Sequence, residues 1–266
     1  MTPTTPTYPP TLLDEEKLRR ALARLPRFSR TRYFITVDST NARAVEELHL
    51  DDTLGTSFVT EAQDEGRGRA GRTWWSPAGA GLYCTTIIPV ELGSRALPAV
   101  GFWAALATAS AIRNVTSLEV GLKWPNDLLL DGSKCCGILI EGRSLGDVNR
   151  VAVGVGLNVN RPALEQPVES AWLSDGAGAA IDRTALLVAL LSEYERSLDD
   201  LVAAPEVVIQ RWDRASKLRG TRVSVSDAGG SLLCEGTVRA IGADGALLLD
   251  TDAGPRTVRL GDVAAV

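Results

Sequence analysis

The chain has 266 residues, enough for one large domain and a small one, and its 45% apolar content supports a sizeable core. With 28 basic against 33 acidic residues and a net charge of −5, it lacks the global basic excess of a general polyanion binder. No stretch approaches the ~20 apolar residues of a membrane helix, and MTPTTPTYPP has no charged head before an apolar run, so a soluble cytoplasmic protein without a signal peptide is expected.

Residues 1–10, rich in Pro and Thr, read as a disordered tail. Residues 14–25 read as a short amphipathic helix with Leu18, Leu22 and Leu25 on one stripe. The stretch before Arg32 is too short for a helix-turn-helix module. Arg32 to Val37 is strand-like. In the DSTN that follows, Ser39, Thr40 or Asn41 could cap the next helix, and Thr40 is best placed. His49 is the chain's one histidine and falls at the end of that helix, where a surface or capping role is simplest. One histidine argues against a histidine zinc site or a Ser-His-Asp triad.

Thr56–Glu61 and Gly81–Val90 read as strands, and between them runs QDEGRGRAGRTWW, Gln63 to Trp75. Its three arginines, Arg67, Arg69 and Arg72, alternate with Gly66, Gly68 and Gly71. Glycine lets backbone approach a ligand, and arginine offers a planar fork of donors for carboxylate or phosphate. A flexible cationic loop that orders around an anion is one reading; a solvated arginine loop or a nucleic-acid contact is another. The loop is not a Walker A motif, since no GK[ST] follows, nor a dinucleotide fingerprint, since the spacing is wrong and no helix comes next.

Residues 97–112 are alanine-rich and apolar all round, which predicts a buried helix against a sheet. Leu118 to Gly142 reads strand, turn, strand, hairpin turn, strand, with Trp124-Pro125-Asn126-Asp127 as the first turn and Asp131-Gly132 as the second. Val148–Asn158 is a further strand. Short links between strands predict a mainly antiparallel sheet, covered by helices at 41–50, 98–113 and about 184–202, with a last helical segment at 205–217 and a loose linker at 162–180. After Gly220 the chain turns to short strands with Gly/Asp turns, a small all-β unit of about 45 residues that should pack on the larger domain. Cys84, Cys135, Cys136 and Cys234 have no metal-ligand spacing and read as buried free thiols, with Cys135 and Cys136 pointing to opposite faces of a strand.

Lys123 and Lys134 flank the WPND turn. Each could be a snorkelling edge residue, and Asn126 and Asp127 could be plain turn formers. Together with the arginine loop and the glycine-rich GVGLN strand end, they could instead hold a nucleotide or carboxylate ligand.

Four stretches, DSTN at 38–41, QDEGRGRAGRTWWSP at 63–77, KWPNDLLLDGSKCCGILIE at 123–141 and GVGLNVN at 154–160, resemble the biotin protein ligases (biotin–[acetyl-CoA-carboxylase] ligases) in order and spacing. Glu65, where the family commonly has a small residue, and Cys135-Cys136, where it has an apolar–Ala pair, are departures. The resemblance implies an α+β fold, a mainly antiparallel sheet flanked by helices like that of class II aminoacyl-tRNA synthetases, with a small C-terminal SH3-like β-barrel. It divides the chain into a tail and short helix (1–30), a catalytic domain (31–217) and the SH3-like unit (218–266). It implies ATP-dependent activation of biotin as biotinyl-5′-adenylate, then transfer to a lysine of a biotin carboxyl carrier protein. Lys134, Arg67 and Arg69 would be catalytic. Ser39, Thr40, Asn41, Gln63, Gly66, Trp74, Trp75, Gly137, Gly154 and Gly156 would hold biotin and its adenylate, and Lys123, Asn126, Asp127 and Asn158 the nucleotide. Mg²⁺ would accompany ATP without a dedicated protein metal site. A homodimer is expected, with neither nucleic acid nor membrane as partner: the chain has no room for the DNA-binding domain of longer family members. A lipoate or octanoate ligase or transferase is the alternative, and the paired GRGR and KWPND stretches favour biotin.

Overall fold

The computed structural model describes residues 6–167 and 170–266. Helix α1 (Glu15–Leu22) is capped by Asp14, which accepts from Lys17 N at 2.9 Å, and buries Leu18 and Leu22. There follow β1 (Arg30–Val37), α2 (Thr40–Glu46), β2 (Thr56–Gln63), β3 (Gly81–Ile87) and the short β4 (Leu92–Gly93). After α3 (Val100–Thr116) come β5 (Gly121–Lys123), β6 (Asp127–Leu130), β7 (Ser133–Leu145) and β8 (Val148–Asn158). The domain closes with α4 (Leu173–Ala177), α5 (Arg183–Ala203) and α6 (Pro205–Ser216).

The strands form one sheet in the order β1-β2-β3-β8-β7-β6-β5, with β4 also paired to β8. Only β1–β2 is parallel within it; every other pair is antiparallel, so the expected α+β architecture holds. The period-two pattern of β8 decides what each face becomes. Val151, Val153, Val155 and Leu157 enter the main core, where α3 and α5 lie. Ala152, Gly154, Gly156 and Asn158 therefore face the other side, where α2 packs. There a small cluster of Ala44, Leu48, Phe58, Ile87 and Ala152 seats α2 and does not extend over the glycine positions.

The C-terminal unit is a five-stranded antiparallel sheet of β9 (Arg222–Ser226), β10 (Leu232–Ile241), β11 (Leu247–Thr251), β12 (Gly254–Val258) and β13 (Asp262–Ala265). Its order is β12-β11-β10-β9-β13. Val225, Val238, Leu247 and Leu249 belong to the same contiguous core as the large domain. At the seam Trp124 Nε1 donates to Gly245 O at 3.0 Å, and Ile241 N donates to Asp213 Oδ1 at 3.3 Å.

Several expectations change. Ser39, not Thr40, is the N-cap of α2: its backbone is extended and its hydroxyl accepts from Ala42 N at 3.4 Å. Cys135 and Cys136 are both fully buried in one core cluster rather than split between faces, because the β6–β7 register slips between Leu128 and Leu129 and adds a residue to β7. In the second half of the expected tail Tyr8 N donates to Arg161 O at 2.9 Å, and just beyond the tail Leu13 N donates to Glu61 Oε1 at 2.7 Å. The first half, residues 1–5, lies outside the described residues. Glu61 and Arg183 form a buried ion pair at 2.5 Å, and Arg183 also donates to Gly81 O at 2.8 Å. The linker at 162–180 carries α4. His49 fits its expected place, with Nδ1 2.9 Å from Glu46 O. Among the described residues no helix is long and apolar enough to cross a membrane.

Candidate active site

The glycine face of β7 and β8 is the floor of a cavity of about 600 Å³. Gly137 and Gly156 are direct partners across the strand pair, and Gly154 lies two residues along. A Cβ on Gly156 would fall 2.6 Å from Trp74 Cε2 and Nε1, and one on Gly137 would fall 3.0 Å from Trp74 Cζ3. The indole thus lies flat along both glycines, and only glycine permits that approach. A Cβ on Gly154 would fall 1.9 Å from Asn41 Oδ1, so the Asn41 amide fills that place instead.

One end of the floor is polar. Thr40 N donates to Gln63 Oε1 at 2.9 Å, and Gln63 Nε2 donates to Ser76 Oγ at 2.8 Å. Thr85 Oγ1 donates to Asn41 Oδ1 at 2.6 Å and lies 2.8 Å from Thr40 Oγ1. Ser39, Thr40, Asn41 and Thr85 are all buried. The other end is cationic. Lys134 Nζ sits 5.4 Å from the centroid of the Trp74 ring and pairs with Asp127 Oδ1 at 2.7 Å, a contact of charges rather than an aligned hydrogen bond. The slip at Cys135 is what turns Lys134 to this face. Without the extra residue, Lys134 would share the side of Cys136 and enter the core.

The arginine loop is narrower and better pinned than a free flexible loop. Gly68 N donates to Arg72 O at 2.7 Å, Trp74 N donates to Gly66 O at 2.8 Å, and Arg67 bridges Thr73. Gly66 is buried beneath this ladder, where a Cβ would fall 2.3 Å from Trp74 O. Arg69 Nη1 donates to Asn126 Oδ1 at 2.8 Å, and burial pulls the Arg69 guanidinium below its ordinary pKa. Arg67 Nη2 reaches Glu141 Oε1 at 3.1 Å, and Arg72 Nη2 pairs with Asp262 Oδ2 at 2.9 Å, across from the C-terminal unit.

Of the residues singled out from the sequence, Ser39, Thr40, Asn41, Gln63, Arg67, Arg69, Trp74 and Trp75 line this one cavity, as do Asn126, Asp127, Lys134, Gly137, Gly154, Gly156 and Asn158. Gly66 lies behind the wall. Lys123 is outside the lining, opposite Asp127 on β5. Sequence reasoning missed Thr85, Glu141 and Asp262. Glu141 ends the KCCGILIE stretch and could have been noticed there, whereas nothing local marks Asp262.

A sequence profile of the biotin/lipoate A/B protein ligase family matches residues 33–158. The biotin–[acetyl-CoA-carboxylase] ligase of Mycobacterium tuberculosis is 33% identical over 227 residues, 84% of this chain and 82% of that protein. The chain belongs to the biotin/lipoate protein ligase family. The bifunctional ligase/repressor BirA of Bacillus subtilis is 29% identical to this family member over 260 residues, 96% of this chain and 79% of that protein. The fold agrees: a biotin protein ligase from Aquifex aeolicus, solved in complex with biotin and ATP, superposes with a TM-score of 0.73 at 24% identity, covering 90% of this chain and 99% of that one.

Proposed function

We propose that this chain is an ATP-dependent biotin–protein ligase. The observation that carries the reading is the layout of the cavity: buried hydrogen-bonding groups at one end, a glycine-floored slot under Trp74, and Lys134 at the far end. Biotin has that order, a ureido head, an aliphatic chain and a carboxylate. Lipoate carries an apolar dithiolane where the ureido group would be, so it would offer Ser39, Thr40, Asn41 and Gln63 no hydrogen bond and would take away their contact with water, which polar sites reject strongly. The relatives named as biotin ligases point the same way.

In this reading Lys134 neutralises biotin's carboxylate as it attacks the α-phosphorus of ATP and pyrophosphate leaves. Arg67 and Arg69 bring donors to the meeting of two anions, and the pinned loop keeps water from the mixed anhydride. The amine of a lysine on a biotin carboxyl carrier protein then attacks the carbonyl, AMP departs, and Lys134 stabilises the charge developing on the carbonyl oxygen. Asn126, Asp127 and Asn158 support the nucleotide, with Lys123 behind Asp127. Among the described residues no three His, Cys, Asp or Glu side chains gather to hold a metal ion. Mg²⁺ commonly takes one or two carboxylates and the substrate's own phosphates, so Asp127, with Asn126 beside it, suits a role as protein ligand to a nucleotide-borne ion. When bound, that ion would offset the charge of the polyphosphate. A cytoplasmic homodimer completes the proposal. The test is ATP-dependent pyrophosphate release with biotin against lipoate. Turnover with biotin alone is expected; turnover with lipoate alone overturns the reading.

A further inference from the structure

Glu141 is on β7, on the same face as Gly137, and its two oxygens are divided between the floor and the loop. Oε2 accepts from Asn41 Nδ2 at 2.8 Å, and Oε1 accepts from Arg67 Nη2 at 3.1 Å. The two contacts differ in firmness. Asn41 is 4% exposed, held by Thr85 and wedged over Gly154, so that end is fixed. The Arg67 side chain is 49% exposed, and an ion pair so open to water is weak and readily remade. A buried chain of hydrogen bonds from β3 through α2 to β7 thus ends in one carboxylate offered to the loop side of the site.

We propose that Glu141 is a positioning residue: its carboxylate, anchored to the floor through Asn41, is the post on which the Arg67 limb of the cationic loop docks, and it sets how tightly the loop retains biotin and its adenylate. This rests on the biotin-ligase reading. The post touches Arg67 and not Lys134, so its effect on bond making passes only through the Arg67 limb and is smaller than its effect on retention. An amide at this place keeps the size but leaves one acceptor oxygen for two donors, Asn41 and Arg67, and turns an N–H group towards one of them.

The experiment measures biotin KM, single-turnover adenylation at saturating biotin and escape of preformed adenylate, for the parent, Glu141→Gln, Arg67→Gln and the double variant. Glu141→Gln should raise biotin KM and speed adenylate escape by about fivefold, with a smaller loss in the saturated adenylation rate. Arg67→Gln, a change on an exposed side chain that spares the fold, should weaken retention at least as much. The double variant should be no worse than Arg67→Gln alone, because each removes the same contact. Unchanged escape in Glu141→Gln, or losses that multiply in the double variant, overturns the proposal. Should Glu141→Gln fail to fold, Arg67→Gln with unchanged escape overturns it equally. A parent protein that shows no biotin-dependent pyrophosphate release sinks the underlying function instead, and the two failures are read on different samples.

Discussion

Lys134 has a position that only a task at the cavity end explains. It is half-buried beside an indole face and a carboxylate, on a strand whose neighbours Cys135 and Cys136 go into the core. Lys134→Ala should slow both adenylation and transfer by roughly 10²–10³ with an unchanged thermal melt, since preorganised charge in a water-poor site acts on both transition states. Lys134→Arg should recover only part of this, because the planar fork is larger and differently placed. Single-turnover measurements of each step decide it, and parental rates in both remove Lys134 from the mechanism. For Arg69→Ala the expected loss is in holding: it forfeits a charge-assisted bond to Asn126, worth about 1.5–3 kcal/mol, so adenylate should escape faster and label bystander lysines. Equal escape rates in mutant and parent contradict this. The thiols make a third case. Burial pushes the Cys84 and Cys135 thiols up to about 12, so they stay protonated through pH 8 and gain reactive thiolate only as the pH nears that value. Alkylation of the native protein at pH 8 should modify Cys234, which is partly exposed, and spare the other three. At this scale the sequence was readable for residue types and much less so for partners. The arginine loop and the lysine were visible, but Glu141 and Thr85 meet Asn41 only once three strands have paired.

Among the elements, the paired strands β7 and β8 make the site by what they lack. The alternation in VAVGVGLN announces a strand with one bulky and one small face, and the structure puts the small face under Trp74. The slip at Cys135 was not legible, because a bulge depends on how two strands register and not on either sequence alone. Nor was the pinning of the loop, which comes from backbone bonds between Gly66 and Trp74 and between Gly68 and Arg72. The floor yields a direct test. Gly156→Ala puts a methyl 2.6 Å from the indole, so Trp74 must move off the slot. Biotin affinity, measured by calorimetry, should fall by about tenfold or more while the fold persists, as overpacking at a binding surface costs on the order of 1–3 kcal/mol. Unaltered affinity would mean that the indole does not wall the biotin slot.

For the whole molecule, strand β1 is an open edge of the main sheet, with Ile35 59% exposed on it. Such an edge offers unpaired backbone groups to a second copy. Sedimentation over a range of protein concentrations, with and without biotin plus ATP, should show a dimer, and a monomer under every condition contradicts the expectation. The mainly antiparallel sheet covered by helices and the switch to a small β unit after Gly220 were legible from strand spacing, composition and turns. The way that unit reaches the cavity was not, since Asp262 meets Arg72 only through the folded chain. That contact has a consequence for how the protein is made. Synthesis runs from the N-terminus, and domains form largely as they emerge. The glycine floor, Lys134 and the arginine loop are all translated before β9 begins, yet Arg72 gains its carboxylate partner only when β13 has left the ribosome. A chain arrested between α6 and β13 would therefore carry a recognisable cavity with one cationic limb unfastened, and on the retention logic above it would shed its reactive intermediate into the surroundings.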